Sequence, residues 1–131
     1  MSGTWILDSQ ALSLYLRADR TMTAKLAAAR RRDVRVITSA ATMVEADPQG
    51  VRTARLNWAL SRLVVEPVSK DTAREAVARM QDSGRTGGHK YALDAIVAAT
   101  ARAAQPPVTV LTSGVDDLKP LCGKNVEVKQ V

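Results

Sequence analysis

Four places in the chain put a carboxylate where folding alone gives it little reason to be. Asp94 is the sharpest. It interrupts the run Tyr91-Ala92-Leu93-Asp94-Ala95-Ile96-Val97-Ala98-Ala99, which reads as a helix apolar nearly all round and hence buried against a sheet. An unpaired carboxylate there costs several kcal/mol or titrates to neutral unless a cation compensates it. Lys90, one turn earlier, is the simplest partner, in the weaker of the two orientations. Asp8 ends the apolar run Thr4–Leu7 and opens a helix. It is there either as an N-cap or as a ligand-binding group, since α/β sheets bind ligands beyond the carboxyl ends of their strands. Glu45 lies in a short apolar helix after the second strand. Thr42-Met43-Val44-Glu45 fits a capping box, but Ser39 is the better-placed cap. Asp116 and Asp117 follow the fourth strand, where they also suit the N-terminus of the helix they start.

Together these acids imply one pocket at the carboxyl edge of a sheet. Several like charges there repel one another without a divalent cation. Hard oxygen ligands suit Mg²⁺ or Mn²⁺, and such ions activate water and stabilise a leaving oxygen in phosphodiester cleavage. The other metal chemistries are poorly provided for. Cys122 and His89 are each the single residue of their type, which disfavours zinc sites, Cys–His or Ser–His–Asp catalysis and any intrachain disulfide. His89 precedes Asp94 by five residues, about 140° round a helix, so shared ligation is not expected.

The elements that must hold these acids alternate. Strands are expected at Thr4–Leu7, Val34–Thr38, Leu63–Val68, Val108–Thr112 and Val126–Lys129. Helices are expected from Ser9 to Leu16, Thr21 to Arg32, after Ser39, over Val51–Arg62, after Ser69, from about His89 to Ala104, and over Asp116–Cys122. A Gly-rich loop spans Ser83 to Gly88. This pattern predicts an α/β fold, a three-layer sandwich with a mostly parallel central sheet flanked by helices. At 131 residues the chain suffices for one such domain, taken as residues 1–131. The core is to be built from 21 Ala and 15 Val with no Phe, small and β-branched side chains that let helices approach a sheet closely.

Nineteen Lys and Arg against 13 Asp and Glu give a formal charge of +6, and 13 of the 19 are Arg. Guanidinium groups suit phosphate. Arg30, Arg31, Arg32, Arg52, Arg55 and Arg85 are candidates to hold a nucleic-acid backbone, although the Arg30–Arg32 run equally suits a helix C-terminus. Few aromatics speak against single-strand binding by base stacking. No membrane-length apolar stretch or signal segment is seen, so a reducing cytoplasm is the expected location.

The four segments, in order and spacing, resemble the PIN-domain family, specifically VapC-like toxin ribonucleases of type II toxin–antitoxin systems. They are Ile6-Leu7-Asp8-Ser9-Gln10-Ala11-Leu12, Glu45, Leu93-Asp94-Ala95-Ile96-Val97-Ala98-Ala99-Thr100-Ala101, and Val110-Leu111-Thr112-Ser113-Gly114-Val115-Asp116-Asp117-Leu118. The resemblance implies a PIN-like sandwich, a Mg²⁺- or Mn²⁺-dependent endoribonuclease, a homodimer, and a cognate antitoxin as partner. It assigns the metal site to Asp8, Glu45 and Asp94. Such proteins usually carry an Asp where this chain has Gly114, so Asp116 or Asp117 is the expected fourth carboxylate. The competing expectation is a module whose metal site has decayed at Gly114 and that binds RNA or a protein without cleaving. A phospho-acceptor receiver-like domain fits less well, because Glu66-Pro67 stands where its acceptor Asp should follow the third strand.

Overall fold

A computed structural model describes residues 3–131. Five strands, β1 (Thr4–Leu7), β2 (Arg35–Ser39), β3 (Val64–Glu66), β4 (Val108–Thr112) and β5 (Glu127–Gln130), form one parallel sheet in the order β3-β2-β1-β4-β5. Seven α-helices connect them: α1 (Ser9–Leu16), α2 (Arg20–Arg31), α3 (Ala40–Glu45), α4 (Thr53–Ser61), α5 (Lys70–Asp82), α6 (Ala92–Ala103) and α7 (Val115–Cys122). The expected α/β sandwich is what forms.

Period-2 alternation in the central strands creates the three layers. Ile6, Ile37 and Val110 point to one face and pack with Ala76 of α5, Val97, Ala98 and Ala101 of α6, and Leu118 and Leu121 of α7. Their neighbours Leu7, Val36 and Leu111 point to the other face, against Leu12 and Leu16 of α1, Met22 and Leu26 of α2, and Ala59 of α4. Two cores therefore share one sheet. The abundance of Ala has its use in α6, where Ala95, Ala98, Ala99 and Ala101 are all buried and the helix sits close on the strands.

Three element boundaries differ from the sequence expectation by more than one residue. The third strand closes at Glu66, because Pro67 has no N–H to offer a ladder. The helix after Val51 begins only at Thr53. A 3-10 turn (Gly88–Lys90) precedes α6, which starts at Ala92 rather than at His89. Nor is α6 buried all round: Leu93 is 37% exposed and Asp94 only half-buried. Among the described residues no helix is long and apolar enough to cross a membrane.

The connectivity decides where a site can be. From β1 the chain moves outward to β2 and β3, then returns across the sheet to β4 on the other side of β1. The order thus reverses between β1 and β4, and in open α/β sheets the crevice at the carboxyl ends of two such strands is where ligands bind.

Candidate functional site

Asp8 and Thr112 occupy that crevice. Asp8 is the first residue after β1 and the N-cap of α1, its Oδ1 accepting the Ala11 N–H at 2.9 Å. The capping role is therefore real. The other carboxylate oxygen accepts a hydrogen bond from the Thr112 hydroxyl across the β1–β4 boundary. Thr112 Oγ1 accepts in turn from the Gly114 N–H at 2.9 Å. Sequence reasoning quoted Thr112 within a motif but gave it no task. The one signal in the sequence is a hydroxyl residue closing an apolar strand. Burial pushes the Asp8 carboxyl above its usual range, opposed by the hydrogen bonds from Ala11, Thr112 and Gln10.

The remaining acids arrive from three other elements. Asp94 lies in the first turn of α6, and Glu45 closes α3, which packs on α6. Ser39, not Thr42, is the N-cap of α3; its Oγ accepts the Ala41 N–H. The capping-box explanation for Glu45 therefore fails, leaving an exposed carboxylate at the helix end. Asp94 is pushed up to about 6, first by burial and then by the negative charges of Glu45, Asp117 and Asp8, with Arg85 pulling the other way. Lys90 does not neutralise it. Its Nζ lies 5.3 Å from the centroid of the Tyr91 ring, and the ion pairs among the described residues include none of the five acids.

Two adjacent acids in α7 have different surroundings. Asp117 bears on Asp94 and stands beside Gly114: a β-carbon placed on Gly114 would meet Asp117 Oδ2 at 3.5 Å. Both side chains are exposed, and Asp116 meets the neighbourhood through its backbone carbonyl, which accepts from Arg85 Nη2 at 3.3 Å. Glu45, Asp117 and Asp8 thus each act on Asp94 through their charge, and Asp116 is not among the groups that do. Among the described residues no three of these groups are already close enough to form a preformed metal cage. Their chemistry nevertheless suits a hard divalent cation, since mutual repulsion without a neutralising ion keeps like charges apart.

The basic residues divide by the direction of the strands. Arg30, Arg31 and Arg32 end α2 just before β2 begins, at the amino edge of the sheet and opposite the acids. Arg55 donates to the Tyr15 carbonyl and lies over the Tyr15 and Trp58 rings, 5.4 and 4.6 Å from their centroids. Of the arginines singled out from the sequence, Arg85 is the one whose charge reaches Asp94.

No family model matches the chain, and no curated protein matches it. Solved structures do. The VapBC2 complex of Rickettsia felis bound to a promoter DNA fragment contains a chain with TM-score 0.71 at 14% identity, covering 98% of both chains. The FitAB complex bound to the IR36 DNA fragment gives 0.69 at 20% identity, over 96% of this chain and 94% of that one. FitAcB from Neisseria gonorrhoeae gives 0.64 at 22% identity, over 95% of each. These likenesses correct the family assignment suggested by the motifs. The matching chains belong to named assemblies, VapBC2, FitAB and FitAcB, and identity of 14 to 22% shows the fold alone. Membership of the VapC-like toxin ribonucleases is therefore withdrawn, and what stands is a PIN-like three-layer α/β sandwich with a five-stranded parallel sheet.

Proposed function

We propose that the chain is a metal-dependent endoribonuclease working within a toxin–antitoxin pair. One observation supports the chemistry: Asp94 is raised to about 6, first by burial and then by the negative charges of Glu45, Asp117 and Asp8, which belong to three other elements. A chain selected for stability alone gains nothing from such repulsion. Asp8, Asp94, Glu45 and Asp117 would hold Mg²⁺ or Mn²⁺. The bound ion supplies a water of lowered pKa and neutralises charge on the leaving oxygen. Asp8 is fixed by two donors, the Ala11 N–H and the Thr112 hydroxyl, so it presents its remaining lone pairs in one orientation. Glu45 is exposed, and its carboxylate would accept a proton from an incoming water.

The protein partner rests on the similar structures, which are assemblies of two named components. A homodimer is part of the same proposal, supported by two exposed apolar residues adjacent in sequence to site acids, Val44 at 81% and Leu93 at 37% exposure. The test is RNA cleavage with Mg²⁺ or Mn²⁺ by the wild type, by Asp94→Asn, and by the wild type in EDTA. Cleavage confined to the first is expected; equal cleavage in all three sinks the proposal. A second reading, a module that binds RNA or a protein partner without cutting, draws on Gly114 and the lack of a preformed cage. It requires a wild type that binds no Mn²⁺ even in large excess.

A further inference from the structure

The loop between α5 and α6 carries Arg85 in unusual surroundings. It is punctuated by Gly84, Gly87 and Gly88, with φ of +70°, +104° and +57°, conformations that favour glycine. A β-carbon on any of them would meet nothing within 4 Å, so the loop stands open. Arg85 nevertheless is half-buried and fixed at two points. Its guanidinium carbon lies 5.4 Å from the Tyr91 ring centroid, and Nη2 donates to the Asp116 carbonyl. Among the described residues its guanidinium forms no ion pair and no hydrogen bond beyond that carbonyl. A guanidinium has five N–H donors. Most of this one's are therefore unspent, beside a group of carboxylates it does not pair with.

A brace would be expected to saturate its donors on protein acceptors. A guanidinium held near an aromatic ring and left with free donors is instead placed for an anion, because part of its freedom is lost before the anion arrives. The geometry points to Arg85 as the residue that holds a phosphate of single-stranded RNA at the edge of the acidic group, with the Tyr91 ring and the Asp116 carbonyl holding the guanidinium in place. This assignment rests on the proposed ribonuclease function and names a substrate contact for it. Arg85 is a binding residue here; the acids remain the reacting centre. Its charge also opposes cation binding at those acids, which gives the two roles opposite signs on removal.

The experiment compares wild type, Arg85→Gln and Arg85→Lys by fluorescence anisotropy with a pool of labelled short single-stranded RNAs in EDTA, and by Mn²⁺ titration without RNA. Arg85→Gln is expected to weaken RNA binding about tenfold and to lower the salt slope by about 0.7. It should leave Mn²⁺ affinity equal or higher. Arg85→Lys should recover only part of the RNA affinity, since an ammonium cannot make the bidentate contact. RNA affinity within twofold of wild type in Arg85→Gln, a wild type that binds no RNA, or parallel losses of RNA and Mn²⁺ affinity would each overturn the assignment. A wild type that binds RNA through Arg85 yet never cleaves it would sink the nuclease proposal and leave Arg85 standing.

Discussion

Asp117 stands beside Gly114, its Oδ2 3.5 Å from where a β-carbon would stand, an ordinary contact distance. With Asp117 as the proposed fourth carboxylate, one helical turn of α7 would move that acid three residues along the chain from Gly114. Asp117→Asn should weaken Mn²⁺ binding about tenfold, and Asp116→Asn less than threefold, because a lost carboxylate ligand outweighs a lost remote charge. Isothermal titration of both variants decides the matter, and equal effects would remove Asp117 from the site.

Restoring an acid at Gly114 is a separate test. Its φ of −114° is not a left-handed one that calls for glycine, and the nearest atoms to a β-carbon lie at ordinary contact distance. Gly114→Asp should therefore fold and bind Mn²⁺ more tightly than wild type. Gly114→Ala supplies the steric control and should leave affinity unchanged.

The Thr112 hydroxyl links both strands of the crevice, donating to Asp8 and accepting from the Gly114 N–H. Thr112 is fully buried. Thr112→Val keeps the shape and removes both bonds, which should cost about 1–3 kcal/mol in urea unfolding. Thr112→Ser should recover most of that loss.

The titration of Asp94 makes stability depend on pH in a definite direction. Folding raises its pKa from 3.8 to about 6, so the folded state holds a proton that the unfolded chain has already released. The stabilising contribution is full below pH 3.8 and is lost as pH rises through about 6. In EDTA above neutrality, Asp94→Asn should melt higher than wild type, by about 4 °C for roughly 1 kcal/mol of relieved repulsion. Below the unfolded pKa the difference should vanish. Excess Mn²⁺ should reverse the order, since a ligand that binds only the folded wild type at a hundredfold its Kd adds about 2.7 kcal/mol.

Local sequence determined most of the elements and several of their ends. Ser39 and Ser69 cap the helices they were expected to cap, and Arg30 and Arg31 fall in the last turn of α2, because caps and helix periodicity act over a few residues. The alternation Ile6/Leu7 and Val110/Leu111 already encoded two cores on one sheet. Candidate acids were visible too, as carboxylates placed at strand ends or within apolar runs. Only the tertiary structure could choose among them. Strand order is set by packing between segments distant in sequence, and it is the placement of β4 beside β1 that brings Thr112 to Asp8. Asp116 and Asp117 are equivalent in a string of letters; about 100° of rotation per residue on α7 separates them. The same long-range geometry sends Arg30–Arg32 to the far edge and Arg85 to the acids. Charge and capping were local facts, whereas shared location followed from the sheet.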